Sequence, residues 1–432
     1  MPSVSNRLHQ RPRASVLQLG SVDWAGLFAQ FPSPILGAGL EVSVIYANDF
    51  SGLGIACAVR SPGRNVIGNI RADGPRDSRN NSHRETGATR NPQSLPPQLA
   101  RSAPIGPGET TNPDRGVTLR CPVCCSELGE VRLDRAPQLG PSVRCRKCFF
   151  ELRQEGGIWN ALLPERQSYY SKFIREYEIV RAKEGWGSNS AAFYLALPHK
   201  DLTNRNPWVW KIRSRSFLYT EREILPVLER QCKGPLIILD LGAGNGWLSY
   251  RLSLRGHFPI AVDLLTNELD GLGAAAHYSE KLSKLFPRFQ AELDRLPFAD
   301  ACCDCVIFNA SIHYSEDYSR TVGEAVRCLR PGGTILIVDS PWYSKEEAGQ
   351  RMVQERRSDF KERFGFLSAG LASLDYLTDE RLSALNAQFG IRWTVHRPWY
   401  GFRWAMRPWV AKWKGKREPA EFRIYAGELR KT

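Results

Sequence analysis

Residues 1–116 contain no lysine, and residues 391–417 contain no aspartate or glutamate. No apolar run reaches about 18 residues, so nothing reads as a membrane-spanning helix. Residues 15–31 are mildly apolar, but Asp23 interrupts them and no small-residue cleavage pattern follows. No signal peptide is read there. The 11 cysteines lack the spacing of a disulfide framework: four form two CxxC pairs and the rest scatter or cluster beside a strand. That excludes a disulfide-stapled secreted scaffold and points to a reducing, cytoplasmic setting. Charged residues make up 24% and hydrophobic residues 42%, which excludes a wholly disordered chain.

What charge there is sits unevenly. The net value over 432 residues is +14. Residues 1–116 contribute +4, from 12 arginines and 8 acids, and residues 391–417 contribute +8 from eight Lys/Arg. Residues 418–432 balance, which leaves +2 for 117–390. A near-neutral body with a basic segment excludes a protein that coats nucleic acid with its whole surface.

Residues 1–116 read as a disordered tail or as an upstream extension outside the functional protein, with one short strand expected within Ile35–Asp49. Residues 117–155 hold the CxxC pairs. Residues 156–234 read as a helical cap or linker, with helices over Tyr169–Ala182 and Arg215–Arg230. From 235 to 432 strands and helices alternate, the pattern of an α/β, doubly wound Rossmann-like sheet. Strands are expected at Pro235–Leu241, Phe258–Val262, near Phe289, and at Cys303–Asn309, Thr334–Asp339, Ile391–His396 and Glu421–Ala426. Helices are expected over Asn267–Leu285, Asp317–Cys328 and Asp379–Phe389, with a break at Arg330-Pro-Gly-Gly333.

Cys121 and Cys124 pair with Cys145 and Cys148 across 20 residues. Two residues between cysteines let one turn aim two thiolates at one ion, and two such knuckles complete a tetrahedral S4 shell suited to structural zinc. Four cysteines leave no open position for catalysis, so the expected zinc ribbon is structural. Cys125 is a spare. Cys302, Cys303 and Cys305 lie along one strand and point to different faces, which makes them core or edge thiols rather than a second metal site.

Asp240-Leu-Gly-Ala-Gly-Asn-Gly246 ends one strand and opens a helix. Its glycines allow a tight turn and close approach by a ligand. Asp263 ends the next strand, where a carboxylate can accept from both hydroxyls of a ribose. Position 247 is Trp, not the third Gly of a dinucleotide site, and no Lys-Ser/Thr follows as in a phosphate loop. A ligand with a ribose but no pyrophosphate fits.

These motifs, with Glu292-Leu-Asp-Arg-Leu-Pro-Phe298, Asp300-Ala-Cys-Cys-Asp304 and Arg330-Pro-Gly-Gly333, resemble the class I S-adenosylmethionine-dependent methyltransferases of the type 11 group. The resemblance implies a seven-stranded sheet with an antiparallel last strand, and S-adenosyl-L-methionine as cofactor. It implies cofactor contacts at Asp240, Gly242, Ala243, Gly244, Gly246, Asp263, Leu264, Glu292, Leu293 and Asn309. The ribbon followed by this domain also resembles ribosomal-RNA guanine methyltransferases, whose second knuckle usually pairs Cys with His; here it is Cys145 and Cys148. Uncharacterised bacterial methyltransferases with such a ribbon are similar too.

The loop Asn309–Tyr314 offers His313 as a candidate base, or as a packing or capping residue. The Asn/Asp-Pro-Pro-aromatic signature of amino-group methylation is missing there. Tyr169, Tyr170, Phe173 and Tyr177 lie at helical spacing, as a packing stripe or a cover for the cofactor. Segment 397–417 interleaves Trp399, Phe402, Trp404, Trp409 and Trp413 with basic residues. A packed lid, a membrane interface and an RNA-stacking surface all fit it. The reading overall is a zinc-containing methyltransferase acting at oxygen or carbon of a small-molecule or lipid-like acceptor, cytoplasmic and in weak contact with a membrane surface. An RNA methyltransferase and a non-catalytic ribbon scaffold are the alternatives.

Overall fold

A computed structural model describes residues 116–134, 140–366 and 371–429, together with three short strands nearer the N-terminus. The chain divides into two compact units, Met1–Pro104 and Ile105–Thr432. In the first, β1 (Glu41–Ile45), β2 (Ala56–Ser61) and β3 (Arg64–Asn65) pair antiparallel. The strand expected within Ile35–Asp49 is β1; no expectation covers β2 and β3, and the remainder of the expectation for 1–116 lies outside the described residues.

The second unit opens with the hairpin β4 (Gly116–Arg120) and β5 (Glu127–Arg132), then β6 (Ser142–Arg144), β7 (Glu151–Glu155) and β8 (Ile158–Asn160). Helices α1 (Pro164–Lys183), α2 (Ala191–Ala196), α3 (Pro207–Tyr219) and α4 (Leu225–Cys232) follow. A π-turn over Thr220–Ile224 joins the last two, so the single helix expected over Arg215–Arg230 is nearly continuous.

The alternating part begins with β9 (Ile237–Leu241), α5 (Trp247–Leu254), β10 (Phe258–Asp263), β11 (Arg288–Gln290) and β12 (Cys303–Asn309). It continues through α6 (Tyr318–Cys328), β13 (Leu329–Val338), β14 (Pro341–Trp342), α7 (Glu346–Phe364), α8 (Asp379–Phe389) and β15 (Ile391–His396). The last elements are α9 (Phe402–Ala405), α10 (Arg407–Trp413), β16 (Glu421–Phe422) and β17 (Ile424–Leu429).

Ten strands form one sheet, ordered β15-β17-β13-β12-β9-β10-β11-β8-β7-β6. Strands β9 to β13 are mutually parallel where they pair, and β17 lies antiparallel between β13 and β15. The seven strands from β15 to β11 are the doubly wound sheet expected from the alternation. β9 shows why it forms. All five of its residues are buried, and they alternate between the cores on the two sheet faces. Ile237, Leu239 and Leu241 face one core, and Ile238 faces the other.

Of the other three strands, β6 and β7 come from the cysteine segment, and β8 from the start of the 156–234 segment expected as a helical cap or linker. β8 pairs parallel with β11, and β7 and β6 extend the sheet antiparallel. Val117, Leu119, Val131 and Leu152 of the cysteine segment pack into the same core as Phe289 and Phe298. Two backbone hydrogen bonds, Arg120 N to Pro297 O and Ala299 N to Thr118 O, fasten the hairpin to the loop after β11. The cysteine segment is therefore part of the sheet's edge.

Several expectations give way to the structure. The segment expected as a helix over Asn267–Leu285 is a 3₁₀ winding at Leu272–Glu280. Gly271 and Gly273 press so close to the backbone of Leu265–Asn267 that a Cβ would stand 2.7 Å from carbonyl oxygens there. Arg330–Gly333 lies within β13 but interrupts its pairing, as the expected break there implies: the register with β12 jumps from Leu329 opposite Cys303 to Thr334 opposite Cys305, with Gly332 at φ 79°. No expectation covers the long helix α7. Among its 19 residues only Ala348 and Gly349 are buried, so it carries no apolar stripe to read.

Candidate functional site

Strand order reverses between β9 and β12. In such sheets the carboxyl ends of the strands at that switch open onto a ligand crevice. A cleft of about 300 Å³ lies there. Its floor is the turn after β9. Gly242, at φ 76°, sits so close to the loop after β12 that a Cβ would meet Ser311 Cβ at 2.2 Å. Gly242 N and Ala243 N donate to Val262 O at 2.8 and 3.0 Å, which pins the turn to the neighbouring strand.

Asp263, the last residue of β10, holds this turn from the side. Its Oδ2 accepts from Gly244 N at 2.7 Å, and its Oδ1 accepts from Leu265 N at 2.8 Å. The carboxylate lines the cleft with lone pairs to spare. Burial pushes its carboxyl up to about 6, so near neutral pH it is a charged acceptor awaiting donors. Asp240 lies deeper. It is fully buried and accepts from Ser249 Oγ at 2.8 Å, its Oδ1 has no hydrogen-bond partner, and burial pushes it up to about 7.

Of the residues singled out in the sequence, Gly242, Ala243, Gly244, Asp263, Leu264, Leu293, Asn309 and His313 line the cleft. Asp240, Gly246 and Glu292 do not. Gly246 caps the start of α5 at φ 74°. Glu292 is buried, and its Oε1 accepts from Arg166 Nε at 2.7 Å and Tyr170 Oη at 3.0 Å. Its carboxylate thus fastens α1 to the loop after β11. The α1 stripe does reach the site: Tyr170, Phe173 and Tyr177 line the cleft, while Tyr169 does not line it but donates its Oη hydrogen to Glu316, which does.

His313 lines the cleft with its Nδ1 3.4 Å from Ser340 Oγ. Burial, reinforced by the Arg356 guanidinium, pushes its pKa down to about 3. The ring is neutral, and it is a reluctant proton acceptor in this setting.

Arg181, Asp339 and Arg213 are among the cleft residues that were not singled out. Arg181 lies one turn beyond Tyr177 on α1 and pairs with Asp270, so continuing the stripe by four residues would have found it. Asp339 directly follows β13; it accepts from Ser216 Oγ, and its Oδ2 is buried with no hydrogen-bond partner among the described residues. Arg213 on α3 stacks over Trp186 and Trp210, at 5.2 and 5.1 Å from the ring centroids. It has no hydrogen bond or ion pair among the described residues. No sequence signal marks it.

The four cysteines converge as well. Cys121, Cys124, Cys145 and Cys148 place their sulfurs within 4.8 Å of one another, two pairs at 3.5 Å. Thiolates around zinc at about 2.3 Å stand roughly 3.8 Å apart in a tetrahedron, so the donor set fits that ion. The knuckles repeat each other. Cys125 N and Phe149 N donate back to Cys121 O and Cys145 O, and both residues adopt left-handed φ near 63° and 64°. Cys302, Cys303 and Cys305 are buried thiols in the sheet.

Residues 239–337 match the family model described as a methyltransferase domain. Over 110 residues the chain is 34% identical to an uncharacterized methyltransferase of Mycobacterium tuberculosis, covering 26% of this chain and 41% of that one. Over 150 residues it is 29% identical to the malonyl-[acyl-carrier protein] O-methyltransferase of Erwinia pyrifoliae, covering 32% and 55%. The chain thus spans about two fifths to just over half of these relatives. Among solved structures it is similar to a Burkholderia thailandensis 1,6-didemethyltoxoflavin-N1-methyltransferase holding its substrate and S-adenosylhomocysteine. That likeness is 14% identity at a TM-score of 0.35, over 67% of this chain and 99% of the other.

Proposed function

We propose that this protein transfers a methyl group from S-adenosylmethionine to an oxygen of a small-molecule or lipid-like acceptor. The observation that carries the reading is the cleft at the sheet's switch point, floored by the Gly242–Gly244 turn and flanked by the Asp263 carboxylate. When bound there, S-adenosylmethionine supplies an electrophilic methyl on a sulfonium. Asp263 accepts from the ribose hydroxyls. Gly242, Ala243 and Gly244 give close backbone approach, and Leu264, Leu293 and Asn309 wall the site. Asp240 and Glu292 act one layer back, the first beneath the turn and the second by holding α1 in place.

The choice of oxygen rests on proton chemistry. Methyl transfer needs a base only when the acceptor must lose a proton. His313 is held neutral and resists protonation, which makes it a poor base and a suitable hydrogen-bonding neighbour. Arg213 offers in the same cleft a guanidinium that has no hydrogen bond or ion pair among the described residues, with the Asp339 and Asp270 charges nearby. An acceptor that arrives already ionised, a carboxylate above all, suits both. The O-methyltransferase name of the Erwinia relative agrees with this choice. Zinc held by Cys121, Cys124, Cys145 and Cys148 would be structural, stiffening the sheet edge next to β11.

Methyl esters separate this reading from its rivals. Incubated with methyl-labelled S-adenosylmethionine and a cell extract, the protein should yield a product that mild base hydrolyses to labelled methanol. Base-stable label in RNA would favour the RNA alternative, and base-stable label in lipid or metabolites would exclude a carboxylate acceptor and leave an ether oxygen, nitrogen or carbon to be told apart by mass spectrometry.

A further inference from the structure

The segment between β15 and β17 resolves the three readings that the sequence left open. One side of it is anchored. Tyr400 is buried with its hydroxyl 2.8 Å from Ser216 Oγ, Trp404 packs 5.2 Å from the Phe422 ring, and Arg407 stacks 3.8 Å over Trp404. The other side is bare. Trp399 is 60% exposed, Phe402 81%, Trp409 70% and Trp413 84%, with Met406 and Val410 open between them. Positions 402, 406, 409 and 413 follow the three- and four-residue spacing of one stripe across α9 and α10, and Trp399, just ahead of α9, packs its ring 5.3 Å from that of Phe402. In a soluble helix that stripe faces the core; here it faces out. These rings are not a packed lid.

Charge names the occupant. Arg397, Arg403, Lys412, Lys414 and Lys416 are exposed around the stripe, with no ion pair among the described residues and no acid from 391 to 417. Protein interfaces exclude lysine from their centres, which argues against a protein partner. Stacking on nucleic acid uses rings along a basic groove, whereas this stripe includes aliphatic Met406 and Val410. Rings that sit at headgroup depth, with cations beside them to meet anionic lipid, describe an interfacial anchor.

We infer that α9 and α10 dock this protein on an anionic bilayer surface, with Trp399, Phe402, Trp409 and Trp413 inserted and the surrounding cations on the headgroups. The anchor adjoins the cleft: Trp404 packs on Phe422, and Phe422 lines the cleft wall. Docking would bring the acceptor end of the cleft to the bilayer, so that a lipid-borne acceptor enters without crossing bulk water. That last step rests on the methyl-transfer reading; the docking does not.

Full-length protein should co-sediment with vesicles of equal parts phosphatidylcholine and phosphatidylglycerol, and only weakly with phosphatidylcholine alone. Trp409→Ser with Trp413→Ser should lower partitioning at least tenfold. Lys412→Gln, Lys414→Gln and Lys416→Gln together should abolish the preference for anionic lipid. Both variants change exposed side chains, so melting temperature and S-adenosylhomocysteine binding should match the wild type. Absence of vesicle binding by the wild type, or full binding by the double Trp variant, would overturn the inference. So would a dimer that the Trp variant dissolves, or retention on RNA in place of vesicles. Vesicle binding without methyl transfer to any acceptor would leave the docking standing and remove the enzymatic reading.

Discussion

Asp263→Asn is the sharpest perturbation of the cofactor site. The carboxylate does two jobs: it accepts from Gly244 N and Leu265 N at 2.7 and 2.8 Å, and it faces the cleft. An amide keeps the size but loses the charge, and its NH2 cannot accept. Charge-assisted hydrogen bonds are worth about 1.5–3 kcal/mol each. Losing two to a ribose therefore costs about 3–6 kcal/mol, or at least about a hundredfold in affinity. The variant also loosens the glycine turn, so weaker binding alone would not locate the contact. A double comparison does. Calorimetry with S-adenosylhomocysteine and with its 2′,3′-dideoxy analogue should show strong discrimination by the wild type. The Asp263→Asn protein should bind both alike. If the variant still prefers the ribose form by the full wild-type margin, the hydroxyls do not meet Asp263.

Acidity should act on the same carboxylate. Because the folded value of Asp263 lies above the usual carboxylate range, its contribution to stability is present at low pH and fades as pH rises through about 6; Asp240 extends the window to about 7. Binding of S-adenosylhomocysteine needs the charged form and should strengthen over that window, falling about fivefold from pH 6 to pH 5 as titrated by calorimetry. Elemental analysis should find one zinc per chain, and chelation should lower the melting temperature of the whole second unit, because β6–β8 belong to its sheet. A chelated protein that melts unchanged would sever that link. Arg213→Gln should raise the acceptor KM at least tenfold in steady-state kinetics, with only a small change in melting temperature. His313→Gln should leave kcat with a carboxylate acceptor within about tenfold, whereas a general base would cost about 10²–10⁴-fold.

The sequence made legible those parts where one residue type is required by geometry. The glycine turn, the acid ending β10 and the paired CxxC knuckles each need particular atoms at particular spacings, and the structure brings these residues together. Runs buried on both faces, such as Ile237–Leu241, announce parallel strands. Tertiary context decided the rest. Glu292 occupies a motif position, but Arg166 and Tyr170 from a distant helix take up its carboxylate. The ribbon reads as separable because β6 and β8 are three residues each, too short to reveal that they extend a sheet. α7 is polar nearly all round, and Arg213 carries no motif, so neither had a pattern to display. The aromatic insert was visible, but only the fold could show which way its rings point.

The central claim is methyl transfer at this cleft, and one measurement addresses it directly. Purified full-length protein is incubated with methyl-labelled S-adenosylmethionine and a cell extract divided into RNA, lipid and small-metabolite fractions, alongside the Asp263→Asn protein. Label should accumulate in the lipid or small-metabolite fraction with the wild type and drop at least about a hundredfold with the variant. No label in any fraction, label confined to RNA, or equal transfer by both proteins would contradict it.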